Sequence, residues 1–176
     1  GGNVTYPCDF MLVCAMNPCP CGYYPDADRC HCTQTQVQKY MGKVSGPILD
    51  RIDLCVELSA IDYASLKERK AGESSAVIRG RVEEARKIQK ERFAGSACRF
   101  NGDIEASMVE EYCRLEPAEE RCMEKLYASL QLSARAYHRI LKVARTIADL
   151  AGSGRIMAEH LMEASFYRPS MDYWGR

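Results

Sequence analysis

Phe10-Met11-Leu12-Val13-Cys14-Ala15-Met16 is an apolar run without polar alternation, closed by Asn17-Pro18. A run of this kind is what a strand covered on both faces requires, and such strands belong to parallel sheets. It predicts a buried strand, and a buried strand expects neighbours. Ile52, Leu54, Val56 and Leu58 alternate with polar or small residues, which predicts a second strand with one better-covered face. Between them lie a Cys-rich loop and a short helix over residues 34–43, ending at Ser45-Gly46-Pro47.

Working outward, Lys70-Ala71-Gly72-Glu73-Ser74-Ser75 is polar with a glycine and separates this β-containing piece from the C-terminal remainder of the chain. Ser74 or Ser75 can cap a helix with Ile78, Val82, Ala85, Ile88 and Phe93 at helical spacing, running to Gly95. Ser107 precedes a short helix with Met108, Val109 and Tyr112, and Pro117 opens another with Cys122, Leu126 and Leu130. Ser133 caps a long helix through Leu150, with Ile140, Leu141, Ala144, Ile147 and Ala148 on one face and Gly152 just past its end. A last helix uses Met157, Leu161, Met162 and Phe166. The expected fold class is therefore α+β, with strands of a parallel sheet in residues 1–70 and an all-α bundle in residues 71–176.

With 176 residues and 47% apolar content the chain can bury a proper core. Lys plus Arg and Asp plus Glu balance at 24 each, so no global basic field would hold a polyanion. No apolar stretch of ~18 residues and no charged-then-apolar leader is present, which argues against membrane spanning and secretion and predicts a cytoplasmic protein. The opening Gly1-Gly2-Asn3, with a strand-like run close behind, reads as a piece of a longer protein.

Four places could carry chemistry. Asn17 comes directly after the expected buried strand, and ligands gather at the carboxyl ends of strands in open parallel sheets; Asn-Pro also simply ends strands and starts turns. Arg51 sits between Asp50 and Asp53. It is either an ion-paired residue on a strand-entry loop or a guanidinium reaching toward a γ-phosphate. Arg135 lies in the first turn of the helix capped by Ser133, where a cation opposes the macrodipole by ~0.3–1 kcal/mol. A bound phosphate would offset that cost, and a side chain leaning into water would reduce it.

The fourth place is Cys19-Pro20-Cys21 together with Cys30-His31-Cys32. Four clustered thiols outside a secreted scaffold fit a closed tetrahedral Zn²⁺ site better than disulfides. Reduced thiols in a loop, a redox pair, or His31 replacing one cysteine are the alternatives. Near the C-terminus, Tyr167-Arg168-Pro169 and Tyr173-Trp174-Gly175-Arg176 could stack on nucleic-acid bases or pack on the bundle.

Residues 12–22, Cys30-His31-Cys32-Thr33, residues 45–54, and residues 133–140 with 144–150 together resemble the magnesium-chelatase-like AAA+ ATPases of the ComM/YifB type, in the right order and over nearly the whole chain. The resemblance implies that residues 1–70 are the C-terminal part of an AAA+ core and residues 71–176 its helical lid. It implies that Asn17 is the sensor that positions attacking water, that Arg51 is an arginine finger acting on a neighbour's nucleotide, and that Arg135 is the second sensor, on the lid. Arg145, in the same motif, carries over weakly. It further implies ATP and Mg²⁺ as cofactors of the full-length protein, a hexameric ring, and a DNA helicase that promotes branch migration during recombination of incoming DNA. A magnesium chelatase motor subunit and a stand-alone zinc-binding interaction module are the competing readings.

The sequence departs from that family's full pattern in lacking G-x-x-x-x-G-K-[ST] and an apolar strand ending in Asp-Glu. Without a phosphate cradle and Mg²⁺ ligands, these 176 residues should show no ATP hydrolysis above a buffer blank in a purified, Mg²⁺-supplied assay.

Overall fold

The computed structural model describes residues 3–6, 8, 10–58, 61, 63, 67 and 72–168. They fall into two units, one up to Ser45 and one from Gly46 onward. Regular structure among them is helical: α1 (Gln34–Met41), α2 (Gly46–Leu49), α3 (Ser75–Arg92), α4 (Val109–Tyr112), α5 (Pro117–Ser129), α6 (Ala134–Leu150) and α7 (Ala158–Phe166), with 3-10 turns at Asn101–Asp103 and Ala106–Met108.

This corrects the α+β expectation, because no strand occurs among the described residues. The run from Phe10 to Met16 is non-helical and unpaired, with Met11 87% and Val13 82% exposed. Leu54, Val56 and Leu58 are likewise exposed. An extended segment cannot satisfy its own N–H and C=O groups, so a strand exists only where another lies beside it. Apolar patterning shows which side chains favour burial, but here no described segment runs alongside them. The partial parallel-sheet core of an AAA+ ATPase is therefore not seen, and the described fold is all-α.

The helical starts obey local chemistry. Thr33 and Gln36 form a reciprocal capping box at α1, with Thr33 Oγ1 accepting from the Gln36 N–H at 3.3 Å and Gln36 Oε1 accepting from the Thr33 N–H at 2.8 Å. Ser74 caps α3 and Ser133 caps α6, each accepting from the N–H three residues on. Pro117 occupies the first turn of α5. Past the end of α6, Gly152 has φ +67°, the left-handed conformation that glycine adopts without steric cost.

In the second unit α6 is the central element. It packs against α3, α4, α7 and the 101–103 turn, while α5 packs on α7. Its buried Ala136, Ile140, Leu141, Ala144 and Ala148 recur at three and four residues, so one stripe faces the core. Ile156 and Leu161 from the α7 side, Met123 and Leu126 from α5, and Phe93 from the end of α3 complete it. The expected α3 face is only half buried: Ala85 and Phe93 are covered, whereas Val77, Ile78 and Val82 stand exposed. The Tyr and Arg tail is described only to Arg168; Pro169 and residues 173–176 lie outside the described residues.

Polar side chains lock α3 to α6. The buried Asp149 carboxylate accepts both terminal nitrogens of Arg92, the Arg145 Nε at 3.1 Å and the Asn101 Nδ2 at 2.8 Å. Arg145 also donates to the carbonyls of Ser153 at 2.6 Å and Gly154 at 3.2 Å, which places it in the framework of the bundle. Burial pulls the Arg145 pKa down and the Asp149 carboxylate pulls it back up. Removing the shared acceptor leaves cations in a dry site. Asp149→Ala should therefore destabilise the helical unit by about 3–5 kcal/mol in urea unfolding, whereas Arg81→Ala at the exposed Glu73 pair should cost under about 1 kcal/mol.

Candidate anion groove and metal centre

Within the second unit, Asp50, Arg51 and Asp53, the segment with Ile104 and Ala106, and the first three turns of α6 line an open groove of about 450 Å³. Arg51 and Arg135 both line it, and so do His138, Arg139 and Lys142. Arg51, Arg135 and Lys142 thus face two carboxylates, Asp50 and Asp53, while the buried guanidinium of Arg139 is taken up by the Leu49 and Ile52 carbonyls. The cations are not neutralised by the hydrogen bonds they make, because these go to neutral carbonyls. Arg51 donates to the Pro47 carbonyl of its own turn at 2.7 Å, and Lys142 to that of Gly102 at 3.0 Å. Arg135 has no ion pair among the described residues, and it is exposed at the start of α6 beside the first-turn N–H groups, of which that of Ala136 is capped by Ser133. First-turn N–H groups and several cationic side chains along one groove are the kind of donors an anion would need.

Sequence reasoning named Arg51 and Arg135 separately, and the fold brings them to one groove. It missed His138, Arg139 and Lys142. Their spacing from Arg135 of three, four and seven residues puts all of them on one side of α6, and that periodicity was the available signal.

The other unit is built on its cysteines. Cys19 is fully buried and packs with Val37 and Met41 of α1, and Cys21, Cys30, Cys32, Tyr24 and Tyr40 lie around them. The thiols of Cys19, Cys21, Cys30 and Cys32 all lie within 4.8 Å of one another, and His31 is not among them. Separations are 3.3 Å for Cys19 to Cys21, 3.8 Å for Cys19 to Cys30 and 3.6 Å for Cys21 to Cys30. A disulfide needs about 2.05 Å, and all four cysteines are free. Tetrahedral zinc with bonds of about 2.3 Å to sulfur sets sulfurs about 3.8 Å apart. The donor set therefore fits a metal ion such as zinc.

The local backbone favours thiolate at the most buried sulfur. Burial pushes the Cys19 thiol up, but the N–H groups of Tyr24, Gly22 and Cys21 and the Cys21 thiol outweigh it and bring the pKa down to about 6. For Cys32 a backbone group at Cys21 acts downward, and burial with the Cys21 and Cys19 thiols prevails, raising it to about 11. Four thiolates this close repel one another unless a cation sits between them. Gly22 holds the turn at φ +86°, and a Cβ there would touch the Asn17 side chain at 3.6 Å. Asn17 is exposed and lies over this turn, so the structure places it next to the cysteine loop.

Comparison with known proteins places both units in one family. Residues 1–66 match the magnesium chelatase subunit ChlI family, and residues 72–168 match the C-terminal domain family of the same subunit. Competence protein ComM of Haemophilus influenzae is 42% identical over 167 residues, covering 94% of this chain and 32% of that protein. The uncharacterized protein YifB is 39% identical in Salmonella typhimurium and 40% in Escherichia coli, with the same coverage. The chain spans about a third of the length of the curated relatives it matches. On these matches the chain belongs to the magnesium-chelatase-like family of the ComM/YifB type.

Proposed function

We propose that this chain is the nucleotide-sensing part of an ATP-driven ring ATPase, with Arg51 as arginine finger, Arg135 as lid sensor and Asn17 as the sensor for attacking water. The observation that carries this is the shared groove: Arg51 and Arg135 face one space at the N-terminal end of α6. Phosphoryl transfer is catalysed by positioning and by charge stabilisation, and two guanidiniums lining one groove could supply both to a bound phosphate. ATP and Mg²⁺ would be held by other parts of the complete protein. The complete protein assembles as a homo-oligomer, a hexameric ring on this reading, in the cytoplasm, with no membrane partner. The relative named for competence favours a motor acting on DNA, as a helicase in recombination of incoming DNA, over metal insertion into a porphyrin.

One groove has a consequence for the ring. If Arg51 reaches a neighbour's γ-phosphate, Arg135 reaches the same phosphate. In the complete protein, Arg51→Ala should lower turnover by ~10³–10⁵ with nucleotide binding retained. Mixed rings provide the test. Subunits carrying Arg51→Ala, and separately Arg135→Ala, should both regain activity beside subunits with a disabled phosphate-binding loop and intact arginines. Rescue of Arg51→Ala alone would assign Arg135 to its own subunit's nucleotide. Rescue of neither, in assembled rings, would end the reading of Arg51 as a finger.

We also propose that Cys19, Cys21, Cys30 and Cys32 hold one structural Zn²⁺. What supports it, beyond the sulfur spacing, is how small the unit's core is among the described residues: its buried apolar cluster there consists of Cys19, Val37 and Met41. A core that small needs a staple. Metal analysis should find about one zinc per chain, lost in a Cys30→Ser, Cys32→Ser double mutant. Chelation should expose Tyr24 and Tyr40 to solvent quenchers while leaving the melting of the helical unit unchanged. Unchanged zinc content in the double mutant would remove these ligands from consideration.

A further inference from the structure

The turn that carries Arg51 is poorly anchored by packing. α2 has no buried residue, Ile48 and Leu54 are exposed, and the hydrogen bonds of Asp50, Arg51 and Ile52 N–H groups stay within the turn, to Gly46, Ile48 and Leu49 carbonyls. Such a segment would let a long side chain wander. Among the described residues, two hydrogen-bonded contacts tie it to the helices: the Cys55 N–H donates to the Tyr167 carbonyl at 2.8 Å, and Arg139 of α6 reaches across. Arg139 Nη1 donates to the Ile52 carbonyl at 2.7 Å and the Leu49 carbonyl at 3.3 Å. Those two carbonyls bracket Asp50 and Arg51.

Arg139 is an unusual choice for stability alone. It is 6% exposed, lies between the core residues Ala136 and Ile140, and has no ion pair among the described residues. A buried guanidinium satisfied by carbonyls gives up its hydration for charge-assisted hydrogen bonds, and an apolar side chain of similar volume commonly stabilises such a site as well or better. What the arginine adds is position. It stands one helical turn from Arg135, about 6 Å along the axis of α6. The same rigid helix therefore presents Arg135 to the groove and grips the backbone on either side of Arg51.

We propose that Arg139 is a positioning residue that holds the Arg51 turn in register with Arg135, so that movement of α6 carries both guanidiniums together. This rests on the reading of Arg51 as phosphate-facing. Loss of the strut should leave nucleotide affinity in place and weaken only the step that needs Arg51 correctly aimed. Its effect should therefore vanish once Arg51 itself is compromised.

The test measures steady-state ATP turnover of the complete protein for Arg139→Met, Arg51→Lys and the double variant, with ring assembly and Tm recorded for each. Arg139→Met should lower kcat about tenfold or more with KM for ATP within about twofold. Added to Arg51→Lys, it should produce no further loss beyond about twofold. Arg139→Lys, which keeps donors and charge, should recover part of the rate, and it carries the same comparison if the methionine variant does not assemble. Single effects that multiply in the double variant would show that Arg139 acts independently of Arg51 and overturn the proposal while leaving the finger reading intact. Unchanged kcat, or a rise in KM alone, would also overturn it. Full activity in Arg51→Lys and Arg51→Ala, with Arg139→Met still impaired, would remove the finger reading and the strut together.

Discussion

The carboxylate of Asp149 is the joint on which the helical unit depends. Arg92 arrives from the end of α3, Arg145 from one turn earlier in α6, and Asn101 from the intervening 3-10 turn, and they meet at a fully buried carboxylate, with Arg92 alone keeping some contact with solvent. Because the pair is charged and buried, its parts are valuable only together: each cation's desolvation is offset by the same anion. This fixes the direction in which α3 leaves α6, and with it the placement of Phe93 against Tyr112, whose rings lie 5.0 Å apart edge to face.

With α6 held this way, its first two turns become a platform. The apolar stripe from Ala136 to Ala148 is committed to the core, so the flanking positions 135, 138, 139 and 142 are directed to one side, where the 46–53 turn lies. A helix is stiff over this distance, and residues four apart keep their separation when it moves. The groove is thus defined by a rigid wall bearing Arg135 and a soft wall bearing Arg51, joined through Arg139. An anion engaging both walls would meet charge from two elements at once. Because the net charge of the chain is balanced, any attraction for an anion would have to come from the local field of the groove.

The cysteine unit solves a different problem. Among its described residues the buried apolar cluster is small for the ordering of such a segment, and four sulfurs drawn to within 4.8 Å offer a cross-link instead. The capping box of Thr33 and Gln36 begins α1 directly after Cys32, so closing the loop also sets the helix whose Val37 and Met41 cover Cys19. The Asn17 side chain lies against the turn at Gly22. Anything that orders the cysteine loop therefore also orders the neighbourhood of Asn17.

Much of this was legible in the sequence because it is encoded within a few residues. Ser74, Ser133 and Pro117 mark helix starts through hydrogen bonds, or a missing N–H, in the same turn. Gly152 marks an end through its own backbone freedom, and the four clustered cysteines needed only loop closure to meet. What misled was the apolar run at 10–16, since a strand is a property of two segments and its pattern says nothing of whether a partner lies beside it. Arg92 and Asp149, 57 residues apart, and Arg139 and Ile52, 87 apart, could not be paired from local pattern either. Their identity as a joint and as a strut depends on which helices meet and at what rotation. That is decided when the α6 stripe is buried, because burial of one face determines where every other side chain on the helix must point.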